Sequence, residues 1–101
     1  MQTQLAPDLV ETLPKEALTG LRFSPGDVLR EPADRLLRRR NAERAVTLGN
    51  AYHGKLDIYF QTADGTTKRV QTTVWAADAD HLTFKSGVLL PLRAVVWLDF
   101  Y

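Results

Sequence analysis

The sequence predicts a mainly β fold, in which a helical or irregular amino-terminal segment precedes a small, five-stranded, strongly curved antiparallel barrel. Apolar and polar residues alternate with a period of two from Gly49 onward, which is typical of half-buried strands. Before Gly49, four of the five prolines divide the chain into short pieces. Since 101 residues is the size of one domain, we expect residues 1–48 and the barrel of residues 49–101 to form a single domain.

Helix start and stop signals mark the amino-terminal segment. In TLPKEALTG, Thr12 is placed as a cap, Pro14 lies in the first turn and Gly20 is a stop, so a short helix is expected there. Pro32 opens a further helix that runs through a group of arginines. The pattern leaves open whether residues 42–48 continue that helix or form a strand.

The carboxyl-terminal half supplies the five predicted strands. GKLDIYFQ alternates apolar with polar residues, and Asp64-Gly65 after it is a strong signal for a tight hairpin. Ser86-Gly87 marks a later turn, and VVWLDFY forms the strand that completes the barrel. The inward-facing residues expected to form the core are Leu56, Ile58, Val74, Phe84 and Leu98.

The stretch SGVLLPLRAVVWLDF resembles the ending of Sm-like and Src-homology-3-like small barrels. The resemblance implies a strand, a single helical turn at residues 91–94 and a last strand at residues 95–100. It covers roughly residues 54–100 and rests on spacing, while LGNAYHGK with TTVWA is similar to a family of small, uncharacterised bacterial proteins. The lysine-histidine pair with which the bacterial Sm-like RNA chaperone contacts RNA is not matched, because Leu92 and Arg93 stand near its place. The resemblance therefore implies a fold and assigns no activity.

An arginine-rich run, RLLRRRNAER, is the first candidate site, in a chain whose net charge is only +1. Its guanidinium groups are suited to phosphate oxygens, so RNA or DNA is one partner that this run would fit. The competing interpretation is a solvated helix in which Leu36 and Leu37 face the barrel and the arginine stems lie along its rim. The candidate residues are Arg35, Arg38, Arg39, Arg40 and Arg44.

An aromatic outer surface is the second candidate site. If Leu56, Ile58 and Phe60 point inward, alternation places Tyr59, Trp75 and Trp97 on the outside. Such side chains fit a contact with a partner protein or with a second copy of the chain, and stacking on nucleic-acid bases is also possible. The competing interpretation is that the first 45 residues cover this surface and shield both tryptophans from solvent.

Nothing in the sequence indicates catalysis, and we expect neither an enzyme nor a cofactor, a metal or a small-molecule substrate. The chain contains no cysteine, which excludes disulfides and thiolate chemistry. DADH at residues 78–81 offers two carboxylates and an imidazole, but aspartates in a turn are explained by hydrogen bonds to the backbone. No nucleophile stands beside a base in a recognisable motif, and the glycines are scattered at turns.

The sequence also predicts the cellular compartment of the protein and the class of its partner. Neither a signal peptide nor a membrane span is expected, and a chain without cysteine suits the reducing cytoplasm. We therefore expect a non-catalytic cytoplasmic binding module that acts through protein-protein contact and self-associates. The alternative is an RNA- or DNA-binding protein that uses the arginine-rich helix of residues 35–44.

Overall fold

A computed structural model describes residues 10–101, which form one long α-helix packed against two β-sheets. In chain order the elements are β1 (Thr12–Leu13), a 3-10 helix (Lys15–Gly20), α1 (Pro32–Tyr52), β2 (Leu56–Gln61), β3 (Thr67–Thr72), β4 (Val74–Ala77), β5 (His81–Phe84), β6 (Leu89–Pro91), a second 3-10 helix (Leu92–Ala94) and β7 (Val95–Asp99). Within the described residues, no helix combines the length and apolarity that crossing a membrane requires.

The strands form a four-stranded sheet in the order β1-β3-β2-β7 and a three-stranded sheet in the order β4-β5-β6. β1 pairs with β3 in parallel, and all the other pairs are antiparallel. β3 and β4 are separated in the chain only by Thr73, yet they belong to different sheets. The backbone therefore passes from one sheet to the other at this residue, which places β4 beside helix α1.

The prediction of a closed five-stranded barrel is wrong. The described chain is a mixed α/β fold with seven strands in two sheets of four and three strands. Barrel closure depends on strand tilt and stagger, which an alternation of period two does not specify. The short helix expected before Gly20 is present as the 3-10 helix Lys15–Gly20. Thr12, expected as its cap, lies instead in β1, where Arg69 N–H donates to Glu11 O at 2.9 Å and extends the pairing with β3.

The predicted inward-facing residues form the core of the protein. Leu56, Ile58, Val74, Phe84 and Leu98 all have an exposed fraction of 2% or less. Both sheets contribute to this core, and Ala42 and Ala45 of α1 complete it. The alternation of the sequence therefore identified the inside and the outside of the strands, even though it did not identify how the strands are connected into sheets.

The predicted hairpin between β2 and β3 is confirmed. Gly65 has φ +86°, a left-handed conformation that glycine adopts without strain. Asp64 Oδ1 accepts hydrogen bonds from the Thr62 hydroxyl at 2.5 Å and from Thr66 N–H at 3.0 Å. These hydrogen bonds lower the pKa of Asp64 to about 2, so its carboxylate closes the turn in the charged form.

Helix α1 continues through residues 42–48 and ends at Tyr52. Its buried face differs from the predicted one, because Leu36 and Leu37 are exposed. The residues that α1 buries are Arg38, Ala42, Ala45 and Gly49. Small side chains are needed there because the helix approaches β4 so closely that a Cβ atom on Gly49 would lie 2.0 Å from the Val74 carbonyl oxygen.

Candidate binding surfaces

A cleft of 230 Å³ lies between the first half of α1 and β7, and we call it the Trp97 cleft. Two large apolar side chains in its walls are about half exposed, Leu37 at 46% and Trp97 at 50%. β7 is an edge strand of the four-stranded sheet, and alternation along it turns Trp97 outward while Leu98 enters the core. The lining consists of Leu29, Asp34, Leu37, Arg38, Asn41, Val96, Trp97 and Leu98.

Arg38 in this lining forms a buried ion pair with Asp27. Arg38 is 7% exposed, and its guanidinium donates to both oxygens of Asp27, at 2.8 and 2.5 Å, and to Val95 O at 3.0 Å. Burial acts to raise the pKa of Asp27, but hydrogen bonds from Arg38 and from Leu29 N–H outweigh it and hold the pKa below its ordinary value. Arg38 thus joins three segments, α1, the preceding loop and β7, and does not face solvent.

Two other arginines of the run have contacts within the chain. Arg35 Nε donates to Leu29 O at 2.7 Å and lies 3.5 Å from an oxygen of Asp27. Arg44 lies over the ring of Phe100, with its guanidinium carbon 4.1 Å from the ring centroid, which is a cation-π contact. These contacts hold the two side chains at different sides of the helix and direct them toward the body of the protein.

Arg39 and Arg40 are exposed, as Arg35 and Arg44 also are. Among residues 10–101, neither has a hydrogen-bond or ion-pair partner, although Arg39 is close enough to contribute to the lowered pKa of Asp78. The five arginines are therefore distributed around α1, and the structure does not bring them together on one surface.

The structure brings two of the three predicted aromatic residues together. Tyr59 of β2 lies directly opposite Trp97 of β7, and Arg69 of β3 donates to the Tyr59 hydroxyl at 3.4 Å. Trp75 lies on β4, in the other sheet, and is 45% exposed. The described residues of the amino-terminal segment, from residue 10 onward, leave both tryptophans about half exposed, so they do not shield them as one interpretation of the sequence expected.

Trp75 lines a second cleft, of 330 Å³, which we call the Trp75 cleft. Its lining holds three lysines and a histidine, and no carboxylate. The basic residues come from three distant parts of the chain, so no charge run in the sequence indicated them. The lining residues are Lys15, His53, Lys55, Gln71, Thr72, Thr73, Trp75, Lys85 and Ser86.

The DADH segment forms the predicted backbone-bonded turn. Asp78 Oδ1 accepts hydrogen bonds from the N–H groups of Asp80 and His81, each at 2.8 Å. These two hydrogen bonds lower the pKa of Asp78. Within the part of the chain that the structure describes, no three histidine, aspartate or glutamate side chains are grouped as a metal site would require.

Comparison of the chain with protein families, with curated proteins and with solved structures finds no significant match. The similarity to Sm-like and Src-homology-3-like barrels thus rests on the sequence pattern alone, and the two clefts are the features of the structure that point to a function.

Proposed function

We propose that the chain is a non-catalytic binding module that acts through protein-protein contact, and that one of its partners is a second copy of itself. The observation that carries this proposal is the half-exposed state of Trp97 and Leu37 around one cleft, with Leu36 exposed beside them. The cytoplasm is the proposed compartment, since a chain without cysteine suits a reducing environment.

Apolar exposure of this kind favours a protein partner. Burying a leucine side chain fully contributes about 1.5–3 kcal/mol, and tryptophan is enriched among the residues that dominate interface energies. Trp97 lies on β7, an edge strand of its sheet, and Leu37 lines the same cleft. A strand edge is itself a site at which another chain can add. The cleft and the edge together offer both apolar area and backbone hydrogen bonds.

Charge favours a second copy of the chain over a strongly charged partner. The net charge is +1, so two copies repel each other little. The lining of the Trp97 cleft carries both signs, since it includes Asp34 and Arg38. A two-fold interface brings the same surface of both copies together, so that a residue of one sign in one copy can face a residue of the opposite sign in the other.

The experiment is sedimentation equilibrium of the wild-type chain over a range of concentrations. We expect the mass to rise from 11.4 kDa toward that of a dimer, and we expect Trp97→Ala combined with Leu37→Ala to remain a monomer. Trp75→Ala is the matched control, because it removes a tryptophan of similar exposure from the other sheet and should leave self-association intact. A wild-type chain that stays monomeric at high concentration would contradict the proposal.

Nucleic-acid binding by the arginine-rich helix is the weaker alternative. Its support is limited to Arg39 and Arg40, since the other three arginines have contacts within the protein. Substitution of Arg39 and Arg40 by glutamine serves as the test of this alternative in the binding experiment below.

A further inference from the structure

We propose that the Trp75 cleft binds a nucleoside phosphate, with the base stacked on the indole of Trp75 and the phosphate held by the surrounding lysines. This site lies apart from the Trp97 cleft, and the proposal does not depend on self-association. Four independent features of the cleft lead to it: its charge, the position of Trp75, its backbone conformation and its size.

The charge of the cleft is positive and incompletely neutralised. Lys15 lies 3.6 Å from a carboxylate oxygen of Glu16, whereas Lys55 and Lys85 have no ion-pair partner among residues 10–101. Like charges gathered in one concave site repel each other, and an anion that enters the site removes that repulsion. The ammonium groups are thus arranged for a ligand that carries negative charge, such as a phosphate group.

Trp75 is directed outward by an irregularity in its strand. Val74 pairs with Phe84 and Ala76 pairs with Thr83, so Trp75 is the extra residue of a β-bulge. Bulges re-aim a side chain and occur preferentially next to functional sites. The backbone of Trp75 is held in place because Asn50 Nδ2 donates to Trp75 O at 3.4 Å. The ring is therefore partly exposed on a fixed backbone, as a stacking surface for a base requires.

The backbone around the cleft adopts conformations that are rare for residues other than glycine. Within residues 10–101, the non-glycine residues with positive φ are His53, at 53°, and Ser86, at 79°, and both line this cleft. Such conformations cost free energy and are found disproportionately at ligand-binding sites. His53 is the carboxyl cap of α1 and precedes Lys55 by two residues, and Ser86 directly follows Lys85, so both positions lie beside basic residues of the cleft.

The size and the polar groups of the cleft fit a ligand of this class. Its volume of 330 Å³ is within the range of about 300–1,000 Å³ that small-molecule sites occupy. Gln71, Thr72 and Thr73 add an amide and two hydroxyl groups, which are hydrogen-bonding partners for a ribose or a base edge. An aromatic platform, cationic groups and neutral polar groups are the three parts that a nucleoside phosphate engages.

The experiment is a calorimetric titration of the full chain with adenosine monophosphate, adenosine and inorganic phosphate, at about 50 mM salt. We expect the nucleotide to bind at least about tenfold more tightly than either of its parts, since it alone engages both Trp75 and the lysines. A single-stranded oligoadenylate of about ten nucleotides shows whether the natural ligand is a free nucleotide or a nucleic acid. If the oligomer binds more tightly per nucleotide than adenosine monophosphate, the ligand is nucleic acid. If the two bind equally per nucleotide, the ligand is a free nucleotide.

Variants separate the contributions of base and phosphate. The double variant Lys55→Gln with Lys85→Gln changes two exposed side chains and should weaken binding of the nucleotide about tenfold or more while leaving adenosine unaffected. Trp75→Leu should weaken adenosine and the nucleotide and leave inorganic phosphate unaffected. The matched controls are Arg39→Gln with Arg40→Gln, which removes the same charge elsewhere, and Trp97→Ala.

Three results would overturn the proposal. The first is no binding of the nucleotide, and the second is inorganic phosphate binding as tightly as the nucleotide, which would leave no role for Trp75. The third is a loss of binding in the Arg39 and Arg40 variant that equals the loss in the lysine variant, which would move the interaction to the helix. Since Trp97→Ala should disrupt only self-association and Trp75→Leu only nucleotide binding, failure of one proposal is distinguishable from failure of the other.

Discussion

The two halves of α1 pack against the strands by different means. In the first half, the guanidinium of Arg38 is buried against Asp27 and the Val95 carbonyl. In the second half, Ala42, Ala45 and Gly49 bring the helix backbone close to β4. The first contact depends on a partner of opposite charge, and the second depends on the absence of side-chain atoms. An ion pair therefore holds the first half of the helix against the strands, and close packing of small residues holds the second half.

Gly49→Ala tests the close approach and has the largest expected effect. Alanine favours a helix over glycine by about 1 kcal/mol, but its Cβ would lie 2.0 Å from the Val74 carbonyl oxygen, where neither backbone can move freely. We therefore expect the free energy of unfolding to fall by about 3 kcal/mol or more, measured by urea denaturation. Gly20→Ala is the control, because nothing lies within 4 Å of its added Cβ. A more stable Gly49→Ala protein would contradict the packing of the second half.

Asp27→Asn tests the charge pair and has the next largest effect. The asparagine keeps the shape of the side chain but leaves the buried Arg38 guanidinium without a counter-charge. We expect a loss of about 3 kcal/mol in the free energy of unfolding, at the lower end for a buried pair, because the Asp27 side chain is partly exposed. Asp99→Asn, at an exposed position of β7, should change stability by no more than about 0.5 kcal/mol.

Acidification should reduce the difference between wild type and Asp27→Asn, which is the smallest of the three effects. The pKa of Asp27 is lower in the folded protein than in the unfolded chain, so its contribution is fully present above about pH 4 and is lost as the pH falls through the folded pKa. Protonated aspartic acid resembles asparagine. The denaturation midpoints of wild type and Asp27→Asn should therefore converge once the pH is below the folded pKa of Asp27. Asp64 has a pKa of about 2, and its protonation over the same pH range destabilises wild type and Asp27→Asn equally. It therefore leaves the difference in stability between the two proteins unchanged. A difference that stays constant to about pH 2 would mean that Arg38 is not stabilised by the charge of Asp27.

The sequence was sufficient to predict features that depend on neighbouring residues. Alternation along GKLDIYFQ placed Leu56 and Ile58 inside, because the side chains of a strand alternate regardless of its partners. Asp64-Gly65 predicted the hairpin because its hydrogen bonds lie within five residues of the chain. The last strand, which the resemblance placed at residues 95–100, is β7, and it ends one residue earlier, at Asp99.

Features that depend on distant parts of the chain were not predicted. Hydrophobicity placed Leu36 and Leu37 against the core, whereas the close approach of two backbones selected Ala42, Ala45 and Gly49. The spacing of these small residues at helical intervals was the available signal. Arg38 was expected in solvent because its partners, Asp27 and Val95, are not close in sequence. The same reason explains why the lysines of the Trp75 cleft, contributed by three segments, were missed.

The position of β2 between β3 and β7 has a consequence for how the chain folds during synthesis. One edge of β2 is completed by the next strand to be made, while its other edge waits for residues 95–99. Pairings between residues so distant in the chain form slowly, because a large loop must close first. During synthesis one edge of this apolar strand therefore stays unpaired until residues 95–99 are made, and an unpaired strand edge favours aggregation.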